Sequence, residues 1–190
     1  MSRIALTGTP GTGKTTVSRL VADDLGIDVV HLNDVIREAE LFESRDVERD
    51  SLVADLDAVE AWLVQRADGG DGADDDVSNE SEPIDRDVLV ESHLAHLLDV
   101  DRVIVLRCRP DDLKPRLRER GESETSIAEN AESEALDVIL AEAVERHGAG
   151  SVWEIDTTDR SPEEVADDVA AAIGGDIEPR VGTVDFVEYL

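Results

Sequence analysis

Cysteine occurs once in the 190 residues, at Cys108. That excludes an intrachain disulfide and any cysteine-based metal cluster. Lysine is nearly as scarce, because only Lys14 and Lys114 among the 18 basic residues are lysines. Aromatic residues make up 3% of the chain, which makes Phe186 and Tyr189 near the C-terminus conspicuous. No run approaches the about 18 apolar residues that a membrane span needs. The opening Arg3-Ile4-Ala5-Leu6 carries no cleavable leader pattern. The expectation is a soluble, intracellular protein with no membrane partner.

Positive charge is the other deficit. Asp and Glu number 47 against 18 Lys and Arg, a net charge of −29 with a pI near 4.2. Hydrophobic residues still reach 41%, so the chain is not a disordered acidic tail. An acidic, lysine-poor yet globular composition resembles that of proteins from extreme halophiles, and implies a high-salt archaeal cytoplasm. Such charge repels itself in dilute buffer, whereas at 1 M salt the Debye length falls to about 3 Å. A broad surface for the nucleic-acid backbone is not expected against this field. A mesophilic acidic protein is the competing reading of the same composition.

Five short, β-branched apolar runs read as strands: Ile4–Thr7, Val29–Leu32, Val88–Val90, Val103–Leu106 and Val152–Ile155. None alternates, as expected of strands covered on both faces of a parallel sheet. Helical periodicity fills the gaps over Lys14–Leu25, Leu56–Val64, Asp111–Glu119 and Ser123–Glu145. Ser161-Pro162-Glu163-Glu164 opens a last helix with a cap, a proline and an acidic first turn. The fold expected is α/β, a doubly wound five-stranded parallel sheet in one domain over residues 1–175. Residues 68–82, rich in Gly and Asp, read as an inserted acidic loop without calcium-loop spacing. Residues 176–190 form a tail expected to dock on the body, with partner binding as the alternative.

Gly8-Thr9-Pro10-Gly11-Thr12-Gly13-Lys14-Thr15-Thr16 contains G-x-x-x-x-G-K-[ST] in full, between a strand and an amphipathic helix. Glycines such as Gly11 and Gly13 let backbone N–H groups wrap phosphate, and the helix N-terminus adds positive potential. Lys14 is expected on the β- and γ-phosphates of ATP, Thr15 on Mg²⁺ and Thr16 near the α-phosphate. With no Asn-Lys-x-Asp guanine reader, a switch GTPase is excluded, and the length fits a small kinase. Glu91 closes the strand Val88–Val90 at the position of a carboxylate that holds Mg²⁺ through water. His93, two residues on, either orients a nucleophile or caps the Leu94–Leu98 helix; His96 reads as structural. Seven basic residues gather between Arg102 and Arg120, a cluster expected to meet an anionic ligand, with Lys114 and Arg118 expected as ordinary helix-surface charges.

Together, GTPGTGKTT, Asn33-Asp34-Val35-Ile36-Arg37-Glu38, Glu91-Ser92-His93, Arg116-Leu117-x-x-Arg120-Gly121 and Ile127-x-Glu129-Asn130-x-x-x-Glu134 resemble one family. It is the adenylate-kinase-like NTPases shared by archaea and eukaryotes, adenylate kinase isoenzyme six in the latter. The resemblance spans about residues 3 to 173. It implies a broad-specificity nucleoside monophosphate kinase, ATP plus AMP to 2 ADP, that also hydrolyses ATP. It further implies late maturation of small-subunit ribosomal RNA, through contact with a platform ribosomal protein. By position, Gly11, Gly13, Lys14, Thr15, Thr16 and Arg120 would bind ATP, and Arg37 would meet the acceptor phosphate. Residues 31–54 would be the monophosphate arm and 119–129 the lid. The other readings are a ribosome-assembly ATPase with negligible kinase role, and a different small-molecule kinase on this fold.

Overall fold

The computed structural model describes residues 2–46, 51–67 and 87–190. Its elements run β1 (Arg3–Thr7), α1 (Lys14–Leu25), β2 (Asp28–His31), α2 (Leu32–Glu38), β3 (Phe42–Asp46), β4 (Ser51–Ala54), α3 (Leu56–Ala67) and β5 (Val88–Glu91). They continue as β6 (Arg102–Arg107), α4 (Pro110–Glu119), α5 (Glu124–Ala135), α6 (Val138–His147), β7 (Val152–Asp156) and α7 (Pro162–Gly174). All five runs read as strands pair in one parallel sheet, in the order β2-β5-β1-β6-β7. The order reverses about β1, which puts the end of β1 at the crevice where open α/β sheets bind ligands.

The missing alternation has a direct cause. Ala5, Val90, Val103 and Val105 pack on one face with Ile36, Val59, Leu63 and Leu140. Ile4, Leu6, Leu89, Ile104 and Leu106 pack on the other with Val17, Val21, Val165 and Val169. Helices thus cover both faces, and the middles of β1, β5 and β6 are apolar on both sides, with Thr7, Glu91 and Arg107 at their C-terminal ends as buried polar residues. Ser161 caps α7 as expected: its side chain accepts from Glu164 N–H while the Glu164 carboxylate accepts from Ser161 N–H.

Three sequence expectations need correction, and one pair of strands was not foreseen. The segment expected as one helix, Ser123–Glu145, is two, because Asp137 adopts φ 56° between α5 and α6. Aspartate tolerates this left-handed geometry better than most side chains, and here its carboxylate accepts from the Arg107 guanidinium. Leu32 opens α2 rather than ending a strand. The Leu94–Leu98 helix is a single 3₁₀ turn, Ala95–Leu97. Within the arm, β3 and β4 form an antiparallel ribbon that the sequence did not announce. The acidic loop 68–82 lies outside the described residues.

The tail docks on the body. Arg180 bridges Trp153 beside β7, and Thr183 donates from both its N–H and its hydroxyl to Glu154 Oε2. Phe186 is buried with its ring 5.5 Å from the Arg107 guanidinium carbon, and Tyr189 meets it edge-on. Among the described residues no helix is long and apolar enough to cross a membrane.

Candidate active site

The loop 8–13 leaves the end of β1 and turns into α1. Gly8 has φ 133°, and a Cβ there would lie 2.3 Å from the Leu106 carbonyl oxygen of β6. Only glycine lets the loop pass this strand. Gly13 caps α1 in the left-handed region, with no side chain on the helix's first N–H groups. Those donors and the positive helix end are what an anion would meet. Lys14 Nζ donates to the carbonyls of Gly8 at 2.7 Å and Thr9 at 3.0 Å. Burial pulls the Lys14 pKa down to about 8; Glu91 opposes that shift and Arg120 reinforces it.

Glu91 ends β5 beside β1 and is 7% exposed. Its Oε2 accepts from the Thr15 hydroxyl at 3.3 Å and lies 2.9 Å from His31 Nδ1. His31 is its in-register neighbour on β2. Thr15 and Glu91, far apart in sequence, are therefore brought together beside the loop.

His93 stands beyond the strand, in the turn after Glu91, so it shares no strand face with Glu91. Its carbonyl accepts from the Thr7 hydroxyl at 3.3 Å. Burial lowers its imidazole pKa to about 4, and the nearby Lys14 and His96 charges add to the shift. Such a ring is neutral at pH 7, close enough to Lys14 for its charge to be felt. His96 is buried behind the loop strand, its Nδ1 3.1 Å from the Thr7 hydroxyl and its Nε2 2.9 Å from Glu142. That is the structural histidine expected.

A cleft of about 400 Å³ opens beside the loop, lined by Gly11, Thr16, Arg116, Arg120, Thr157 and Arg160. Arg120 caps the C-terminal end of α4, exposed and close enough to Lys14 to act on its charge. Arg116 donates to the Gly11 carbonyl at 3.2 Å. The basic cluster is otherwise engaged within the protein, which corrects the expectation of a shared anionic ligand. Arg102 donates to α7 carbonyls, Arg107 is buried among carboxylates, and Arg109 pairs with Asp112 and Asp159. Lys114 pairs with Asp111 and Arg118 with Glu124, the helix-surface charges expected of these two. Arg37, two-thirds exposed in the last turn of α2, contacts Asp34 at 3.4 Å. Among the described residues no hydrogen bond or ion pair joins it to the phosphate loop.

Sequence reasoning did not single out His31, Thr157 or Arg160. Each follows or ends a parallel strand on the crevice side, and that rule alone would have pointed to them. Glu134 entered only as the last letter of a motif. In the structure it is 3% exposed and joins the loop to the core, accepting from the Thr9 hydroxyl, from Arg107 Nε and from Cys108 N–H.

Residues 4–137 match the family model described as AAA domain. A protein of Natronomonas pharaonis named “Putative adenylate kinase” is 56% identical over 188 residues, 99% of each chain. One of Halobacterium salinarum with the same name is 48% identical over 189 residues, again 99% of each. One from Methanocaldococcus jannaschii, also so named, is 37% identical over 186 residues, 98% of this chain and 93% of its own. Among solved structures, shikimate kinase from Acinetobacter baumannii in complex with shikimate superposes with a TM-score of 0.56. It is 16% identical, covers 93% of this chain and 94% of its own, and speaks to the fold.

Proposed function

The chain belongs to the AAA-domain family, in its adenylate-kinase-like branch, and we propose that it transfers the γ-phosphoryl group of ATP to nucleoside monophosphates, AMP among them, and also hydrolyses ATP. The observation that carries this reading is the convergence of Lys14, Thr15 and Glu91 at the loop from elements up to 77 residues apart in sequence. Phosphoryl transfer needs positioning and charge stabilisation more than covalent chemistry. The loop N–H groups and Lys14 would cradle the β- and γ-phosphates, with Thr16 near the α-phosphate. Arg120 would come over the transferred group from the lid segment 119–129, and the cleft toward Thr157 and Arg160 would take the base. Arg37, in the arm 31–54, would bind the acceptor phosphate.

The donor set suits Mg²⁺. A hydroxyl and a carboxylate 3.3 Å apart are hard oxygen ligands, and Mg²⁺ with a nucleotide commonly takes only one or two protein carboxylates beside phosphate and water. Thr15 would ligate it directly and Glu91 through water; when bound, it neutralises charge on the β- and γ-oxygens. His31 holds the carboxylate in place for that task.

Hydrolysis is supported by His93. A neutral imidazole that feels the charge of Lys14 could align a water by hydrogen bonding, without itself carrying charge. ATP turnover of this kind is the basis of the proposed role in small-subunit ribosomal RNA maturation, where a net charge of −29 would complement a basic ribosomal protein.

The test is product analysis in molar KCl, with ATP plus each monophosphate against ATP alone. Diphosphate formed stoichiometrically from both nucleotides is the expected result. Release of inorganic phosphate alone, whichever monophosphate is present, would overturn the kinase reading and leave the assembly ATPase.

A further inference from the structure

Thr9 and Glu134, 125 residues apart, are joined by a buried hydrogen bond in which the Thr9 hydroxyl donates to Glu134 Oε2. Thr9 is 1% exposed and Glu134 3%. The other carboxylate oxygen accepts from Arg107 Nε at 2.8 Å and from Cys108 N–H at 2.9 Å. Arg107 is itself fixed by Glu154 at 2.6 Å, by Asp137 and by the Phe186 ring. Glu134 therefore cannot swing away without leaving a buried cation and a buried N–H short of their acceptor.

The bond reaches the site through the Thr9 peptide. The Thr9 carbonyl accepts from Lys14 Nζ at 3.0 Å, from the Thr12 hydroxyl at 2.9 Å and from Thr12 N–H at 3.3 Å. One residue thus faces the core with its side chain and the phosphate lysine with its carbonyl. A loop with glycines at positions 8, 11 and 13, all at positive φ, would otherwise lose much backbone freedom on closing around phosphate. Anchoring it beforehand lowers that cost.

We infer that Glu134 is a positioning residue for the reaction: it holds Thr9, and through Thr9 the arc of the loop that meets the ATP phosphates. The inference rests on the reading of that loop as the ATP site. It assigns a catalytic consequence to a carboxylate that would otherwise only complete the Arg107 cluster.

Thr9→Val removes the hydroxyl at nearly constant volume and leaves Glu134 on Arg107 and Cys108; Thr9→Ser keeps the hydroxyl. ATP binding by calorimetry and the KM values for ATP and AMP should be measured for both in molar KCl, and again in a Glu134→Gln background. Loss of a hydrogen bond to a charged acceptor should weaken ATP binding and raise its KM about tenfold in Thr9→Val. The KM for AMP should stay unchanged, Thr9→Ser should behave as wild type, and Thr9→Val should add little once Glu134 is glutamine. Should Glu134→Gln fail to fold, the two Thr9 variants decide alone.

Wild-type protein that binds ATP while Thr9→Val binds it equally well overturns the positioning role and leaves the loop reading intact. A Thr9→Ser as impaired as Thr9→Val, or equal rises in both KM values, does the same. Wild-type protein that binds no ATP overturns both readings.

Discussion

The Nζ of Lys14 lies 2.7 Å from the carbonyl oxygen of Gly8, six residues back along the chain. The loop lysine is thus docked on its own loop, its ammonium donating to the Gly8 and Thr9 carbonyls, the second of which Thr12 also satisfies. Removing it leaves the strand and helix on either side untouched.

Lys14→Ala should therefore lower kcat/KM for phosphoryl transfer and for hydrolysis by at least a hundredfold, the scale seen for removing one preorganised charge-stabilising donor. Circular dichroism and the thermal midpoint should remain close to wild type. Turnover near wild type would remove the loop from the mechanism.

Because burial holds the Lys14 pKa near 8, ATP affinity should depend on pH. Phosphate binds the ammonium form and raises its pKa in the complex. Below pH 8 the free protein already carries the proton. Above pH 8 binding must take one up, so affinity falls as pH rises, by up to tenfold per unit. Calorimetry in buffers of differing ionisation enthalpy, with Lys14→Ala as the pH-independent control, checks the sign.

His93→Ala should depress ATP hydrolysis more than AMP phosphorylation, with ATP affinity nearly unchanged. Water gains from an aligning partner, for which effects of roughly 10²–10⁴ are usual, whereas the acceptor phosphate oxygen is already anionic. Steady-state rates of both reactions on one preparation decide it. Equal losses would make His93 a part of the metal site as a whole, and no loss would make it a packing residue.

The thermal midpoint should rise between 0.1 M and 2 M KCl at pH 7, because −29 charges repel most when unscreened. Much of the surface contributes, while the Arg107 cluster, buried among Glu134 and Glu154, is shielded from added salt. An unchanged midpoint would refute the halophile reading.

What the sequence made legible was local. The strand runs, the phosphate loop and the Ser161-Pro162-Glu164 cap each declare themselves within a few residues. The arm ribbon did not, because Phe42–Asp46 carries only one large apolar residue and its pairing partner begins with serine. Nor did the break between α5 and α6, since Asp137 supplies a left-handed turn without glycine or proline. Charge was the least readable. Arg107 and Arg120 look alike in the sequence, yet one is buried against three carboxylates and the other lines the cleft. Only tertiary contacts assign counter-ions, and for the same reason Glu134 was legible as a motif letter but not as the partner of Thr9 and Arg107.

The scarcity of lysine gives the protein an unusual chemical address. A reagent that acylates neutral amines meets only two lysine side chains: Lys114, paired with Asp111 at the surface, and Lys14, buried in the loop. Burial lowers the Lys14 pKa, so more of it than of an ordinary lysine is the nucleophilic free amine at mildly alkaline pH, which sets reactivity against burial. A nucleotide that restores the proton and covers the amine shields one of these two positions and leaves the other as an internal standard. Occupancy of the loop can then be read as a ratio between two labelled peptides of one chain, in whatever salt the protein needs.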